Sequence, residues 1–205
     1  MSTGHYHFWG DDGDDGSRRD DLVQDYVALP NDGKRYEIHD GELCVMPAPT
    51  LLHQILLFGV AKVLDAHVRL RNLGLVMVAP LDVILSDRPT KTTILQPDIV
   101  YLDSARLEAA HMRGVEGPPT LVVEVLSPSS AVVDRTRKRE LYAHYGVPYL
   151  WFVDPDTREL EAHVLEAREY RLARRASGTE PVDLPPFTDL ALVPFSLWPQ
   201  FSIRP

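Results

Sequence analysis

Cysteine is nearly missing from the 205 residues: Cys44 stands alone. That excludes an intrachain disulfide and a thiolate metal cage, and a reducing, cytoplasmic setting is expected. Long apolar runs are missing too. No stretch approaches the roughly eighteen consecutive apolar residues of a membrane span, so no membrane contact is expected. The first thirty residues hold no basic stretch leading into an apolar run, so no secretory leader is expected. Positive charge is scarce: 21 Lys and Arg stand against 30 Asp and Glu, a formal net charge of −9. Taken alone, that argues against a nucleic-acid partner. There is no G-x-G-x-x-G, no G-x-x-x-x-G-K-[ST], no G-x-S-x-G and no H-E-x-x-H, so dinucleotide, P-loop, serine-hydrolase and zincin chemistries lack their signatures. The eight histidines form no ligand pair at helical spacing; His53 and His67 share one predicted helix but lie fourteen residues apart.

What is present is ordinary for a globular chain, 44% hydrophobic and 25% charged, enough for one sizeable core. Much of the acidity sits at one end. Residues 1–25 hold seven aspartates against Arg18 and Arg19, and the other 180 residues carry a net charge of only −4. Residues 1–21, built of Gly, Asp and Ser without apolar periodicity, read as a disordered acidic tail. Residues 22–205 read as a single domain with its core at about 22–165.

Local patterns predict the elements. A short helix fits 22–29. Asp40-Gly41 between Tyr36–Ile38 and Glu42–Met46 is a two-residue hairpin signal. Thr50 suits the N-cap of a helix over Leu51–Arg71, whose Leu52, Leu56, Val60, Val63 and Leu64 share one face. Strands are expected at Leu75–Ala79 and Leu81–Ser86, then a polar loop at Asp87–Thr93, then one core strand over Ile94–Leu102. A short helix near Ser104–Ala110 follows. Leu121–Leu126, a helix over Ala131–Tyr145 and Pro148–Asp154 form a βαβ crossover of the right length for parallel pairing. Glu159–Leu165 and Tyr170–Ala173 extend the sheet, and a β-rich wrap anchored by Phe187, Leu192, Phe195, Leu197 and Trp198 closes the chain. Cys44 is expected in the core. The order implies an α/β (α+β) domain.

The chemistry lies in acids set within apolar strands. Glu124 sits in Leu121-Val122-Val123-Glu124-Val125-Leu126, and Asp98 in Gln96-Pro97-Asp98-Ile99-Val100. Burying a carboxylate costs several kcal/mol, about enough to require compensation. Two such acids on neighbouring strands suit a hard cation, Mg²⁺ or Mn²⁺. An ion pair with Arg or Lys, or an edge strand facing water, would answer the same need. Asp82 in Leu81-Asp82-Val83 is a third, weaker case. Asp134, Lys138 and Tyr142 at i, i+4 and i+8 form one helical stripe directly after the Glu124 strand. The stripe is either a solvated surface or a reach back over that strand. Ser127, Ser129 and Ser130 fit helix caps, or phosphate ligands at a helix start.

Tyr36-Glu37-Ile38-His39-Asp40-Gly41-Glu42-Leu43, Met46-Pro47 with His53, Pro97-Asp98, Val123 through Ser130, Asp134 with Lys138 and Tyr142, and Gly146 through Pro155 together resemble the Uma-type restriction endonuclease family of the PD-(D/E)XK nuclease superfamily. The resemblance covers roughly residues 22–165. It implies a restriction-endonuclease-like mixed central sheet flanked by helices, with an N-terminal β-hairpin and a β-rich C-terminal extension. Pro97-Asp98 matches the PD motif and Glu124 the acid of (D/E)-X-K, while Leu126 stands where the lysine is usual. The resemblance implies that Lys138 replaces it from the next helix, that Glu37 or Glu42 adds an acid, and that His53 lines the site.

The leading expectation is therefore a Mg²⁺- or Mn²⁺-dependent endonuclease acting on DNA. Asp98, Glu124 and the carbonyl of Val125 would hold the metal, and Lys138 would serve the attacking water and the developing charge. A homodimer is expected, because paired sites suit a duplex. A non-catalytic binding or assembly module on the same fold, and a metal-dependent phosphohydrolase of small substrates, are the alternatives. Salt-dependent DNA binding separates the first from the last.

Overall fold

The computed structural model describes residues 23–30, 32–86 and 92–201. The expected acidic tail at 1–21 and most of the loop at Asp87–Thr93 lie outside them.

Two six-stranded sheets and a small hairpin carry the architecture, where the sequence suggests one central sheet. The first sheet contains β1 (Arg35–His39), β2 (Glu42–Met46), β4 (Asp82–Ser86), β5 (Thr92–Leu95), β7 (Ala110–His111) and β8 (Gly114–Glu116), in the order β2-β1-β5-β4-β8-β7. The second contains β3 (Gly74–Val78), β6 (Ile99–Asp103), β9 (Leu121–Val125), β10 (Tyr149–Asp154), β11 (Glu159–Glu166) and β12 (Glu169–Ala176), in the order β12-β11-β10-β9-β6-β3. Strands β13 (Val182–Leu184) and β14 (Phe187–Leu192) pair with each other. Most neighbours are antiparallel. The parallel pairs are β4·β8 and the predicted crossover pair β9·β10.

Each element has a local cause. Asp40 and Gly41 both adopt positive φ, 57° and 90°, as a tight hairpin turn with matching twist demands. Helix α1 (Leu51–Arg71) starts where Thr50 Oγ1 accepts the His53 amide at 3.2 Å. It ends at Asn72 in the left-handed conformation, with Arg69 and Arg71 in its last turn against the negative end of the helix dipole. By length and composition α1 could cross a membrane. Here it is a core helix: Leu56, Leu57, Val60, Leu64 and Val68 pack on the second sheet.

The second sheet lies between two apolar layers. One face (Ile99, Leu121, Val123, Val125, Trp151, Val153) meets α1 and the C-terminal hairpin with Leu197 and Trp198. The other face (Val100, Leu102, Val122, Leu150, Phe152) meets Val83, Leu85 and Leu95 of the first sheet and the helical segment 131–144. Period-two alternation assigns side chains to these layers, so Glu124 falls on the second face with Val122.

Three expectations are corrected. The single strand predicted over Ile94–Leu102 is two, β5 in the first sheet and β6 in the second, parted by Gln96-Pro97-Asp98. Pro97 has no N–H to donate, so ladder pairing stops there and the chain changes sheets. Cys44 is half-buried on β2, at the rim of the first sheet, rather than in the core. Phe195 is exposed, whereas Phe187, Leu192, Leu197 and Trp198 are buried as expected.

Candidate active site

The passage from one sheet to the other builds the site. The β6·β9 register pairs Ile99 with Val123 and Val100 with Val122. Continued by one residue, it sets Asp98 opposite Glu124. Asp98 stands just past the ladder, and its carboxylate replaces the missing main-chain partner: Val125 N–H donates to Asp98 Oδ2 at 2.8 Å. His53 Nε2, from the first turn of α1, is 3.0 Å from the same oxygen. Arg35 Nη1 lies 3.6 Å from Asp98 Oδ1.

Helix α2 covers the pair. It runs as a short α-turn (Ala131–Val133), a π-helical segment (Asp134–Lys138) and a final α-segment (Arg139–His144). Arg139 N–H reaches the Asp134 carbonyl, five residues back, and such π-segments recur at functional sites. The Ser130 amide donates to Ser127 Oγ at 3.2 Å, so Ser127 acts as a turn cap. The predicted stripe faces inward: Asp134, Lys138 and Tyr142 are all buried.

Lys138 Nζ meets three acids, Glu124 Oε1 at 2.6 Å, Glu37 Oε1 at 3.3 Å and Asp134 Oδ1 at 3.6 Å. Tyr142 donates to Glu124 Oε1 at 2.6 Å. Glu37 comes from the first sheet, on the face of β1 shared with Arg35 and His39. It also accepts the Gln96 amide at 2.9 Å and sits 2.7 Å from His39 Nε2. Asp98, Glu124, Lys138, Asp134, His53 and Arg35 border one cavity, together with Val125 and the Met46-Pro47 turn.

Charge is unbalanced there. Three carboxylates (Asp98, Glu124, Asp134) and two fixed cations (Lys138, Arg35) border the cavity, and Glu37, outside its lining, adds a fourth carboxylate on Lys138. Burial pushes Glu124 up to about 8, and Asp134, Asp98 and Glu37 add to the rise against the pull of Lys138. Burial also raises Asp134. Glu37 goes the other way: burial opposes its charge, but Lys138, His39 and the Gln96 amide hold it down to about 2. Lys138 stays protonated, since the acids around it outweigh its desolvation. One lysine is thus shared among three buried acids, nearest to Glu124.

That donor set fits a hard divalent cation. The oxygens are carboxylates, the ligands such an ion prefers. Among the described residues no group of three or more His, Cys, Asp or Glu stands placed to hold a metal ion. Asp98, Glu124 and Val125 border the cavity together and are the residues there that could hold such an ion. Magnesium, which keeps several waters and takes one or two carboxylates, suits such a set.

Two predicted residues fall elsewhere. Glu42 is exposed on β2 and does not border the cavity. Asp82 lies behind it, accepting from Tyr26 and from Gln96 Nε2, each at 2.8 Å. Arg35 was missed by the sequence reading, since an arginine at the head of a hairpin strand carries no local sign of facing inward. The only available signal was its i, i+2 relation to Glu37.

The structure is similar to the crystal structure of a putative nuclease belonging to DUF820 from Anabaena variabilis. The TM-score is 0.63 at 18% identity, covering 85% of this chain and 96% of that one. A search of the curated proteins finds no match. The fold is restriction-endonuclease-like, and family and fold together support a nuclease. The model of the family Uma2, described as "putative restriction endonuclease", matches residues 23–195. With that match spanning most of its length, the chain belongs to the Uma2 family.

Proposed function

We propose that the protein is a Mg²⁺- or Mn²⁺-dependent endonuclease that hydrolyses DNA phosphodiester bonds and works as a homodimer. The observation that carries this reading is that Asp98 and Glu124 border one cavity together with Asp134 and Lys138, carboxylates outnumbering fixed cations in its lining. Asp98, Glu124 and the Val125 carbonyl would hold the cation. Bound there, a divalent ion polarises the phosphoryl group and acidifies water. His53 and the Val125 amide fix the orientation of Asp98. Tyr142 and Lys138 hold Glu124 by the same oxygen, Oε1, which leaves Oε2 to face the cavity. Glu37 and Asp134 keep Lys138 charged in place, so the lysine's field acts on whatever negative charge develops nearby.

Supercoiled plasmid and linear duplex incubated with Mg²⁺, Mn²⁺ or EDTA test the reading. Nicking or linearisation is expected with the metals, none with EDTA, and at least a hundredfold loss in Asp98→Asn and Glu124→Gln. Cleavage that persists in those variants would reject the site. Metal binding without cleavage of any phosphodiester would leave the binding-module alternative. Turnover of small phosphodiesters without salt-dependent DNA binding would point to the small-substrate phosphohydrolase. Sedimentation of the purified protein reads the dimer.

A further inference from the structure

We propose that Arg35 is the phosphate-binding residue of this site, an assignment that rests on the nuclease reading above. Two fixed cations border the cavity, and they differ in what they have left to give. Lys138 is 2% exposed, and its ammonium is within hydrogen-bond reach of Glu124 at 2.6 Å and Glu37 at 3.3 Å, so two of its three donors are committed and the third lies buried, 3.6 Å from Asp134. Arg35 is committed along one edge only. Its Nη2 donates to the Gln96 carbonyl and its Nε to Gln96 Oε1 at 3.4 Å. Its Nη1 stands 3.6 Å from Asp98 Oδ1, too far for a hydrogen bond, and the side chain is 23% exposed.

A planar fork pinned at one edge, with free N–H groups turned to a cavity, is the arrangement in which arginine binds phosphate oxygens. Gln96 is a firm anchor, because its side chain is itself tied to Asp82 and Tyr26 at 2.8 and 3.1 Å. The loose contact with Asp98 has a second consequence. Arg35 and a divalent cation compete for the same carboxylate, so Arg35 weakens cation binding while it strengthens phosphate binding. A bare charge at this position would give the same two signs through its field alone, so the assignment to a phosphate-binding fork is read from Arg35→Lys, which keeps the charge.

The test uses the full chain and the variants Arg35→Gln and Arg35→Lys. Mn²⁺ binding is read by calorimetry, binding of a duplex oligonucleotide in Ca²⁺ by anisotropy, cleavage in Mn²⁺ by gel, and folding by thermal melts. Arg35→Gln should bind Mn²⁺ about tenfold more tightly, bind duplex at least tenfold more weakly and cleave about a hundredfold more slowly. Arg35→Lys should keep the Mn²⁺ affinity of the parent within about threefold and still lose about tenfold in cleavage, having a charge but no fork. A folded Arg35→Gln with unchanged or weaker Mn²⁺ affinity overturns the assignment, as does parent-like duplex binding and cleavage. If Arg35→Gln does not fold, parent-like cleavage by Arg35→Lys overturns it equally. A parent that neither binds Mn²⁺ nor cuts DNA refutes the nuclease reading itself. A parent that does both beside an indifferent Arg35→Gln refutes the Arg35 assignment alone.

Discussion

Replacing Glu124 by Gln separates a metal ligand from half of a structural ion pair. Glutamine keeps the shape and the acceptor oxygen for Tyr142 and Lys138 but cannot ionise. Burial raises the Glu124 carboxyl to about 8 from an ordinary 4.5. A group whose folded pKa is raised contributes stability that is complete below its unfolded pKa and lost as pH rises through the folded one. Metal-free parent should therefore lose stability between about pH 4.5 and pH 8, and Glu124→Gln should lose less, keeping only the loss that the raised Asp134 brings. At 1.36 kcal/mol per pK unit, the ceiling on that difference is about 5 kcal/mol. Relaxation around the ionised group and its tie to Lys138 reduce it to about 2 kcal/mol, or about 4–8 °C in Tm for a chain of this size. Lys138 is not stranded by the change, since Glu37 and Asp134 remain within 3.3 and 3.6 Å. Thermal melts in EDTA at pH 5, 7 and 9 are the assay. The variant should match the parent at pH 5 and exceed it by several degrees at pH 9. It should show no stabilisation by Mn²⁺, which the parent should. A variant that melts far below the parent at every pH would refute the reasoning. It would mean that Glu124 is the indispensable partner of a buried cation, whose loss costs about 3–5 kcal/mol.

Lys138→Met should be among the most damaging single changes. It leaves Glu37 buried beside Glu124 and Asp134 without its cation, and urea unfolding at pH 7 should show a loss of about 3–5 kcal/mol. Mn²⁺ affinity should rise with pH up to about 8, by up to tenfold per pH unit where one proton is displaced from Glu124. Calorimetry in buffers of different ionisation enthalpy should detect that proton. Tyr142→Phe removes a buried donor to Glu124 and should cost about 1–3 kcal/mol in urea unfolding. Leu64→Ala, in the fully buried face of α1, should cost about 2–5 kcal/mol while leaving Mn²⁺ affinity of the folded fraction unchanged.

The elements with short-range causes can be read from the chain alone. Asp40-Gly41 specifies its turn by backbone freedom, Thr50 its helix by one side-chain oxygen, and the spacing of Leu56, Val60 and Leu64 the face that α1 buries. The crossover from β9 through α2 to β10 follows from length and handedness. The acids at 98 and 124 announce themselves because a carboxylate in an apolar run must find compensation somewhere. Which compensation each finds is not local. Ile94-Leu95 and Ile99–Leu102 are both apolar, and Gln96-Pro97-Asp98 breaks the run between them, but nothing in the pattern tells that the chain passes there from one sheet to the other. That handover sets Asp98 across from Glu124 and brings Glu37 to Lys138. It also turns Arg35 inward, and makes two sheets where alternation alone suggests one. Periodicity records which face of a strand is buried, but strand register decides what lies within a few ångströms of a buried charge. The identity of those neighbours, more than the presence of the acids, gives the cavity its chemistry.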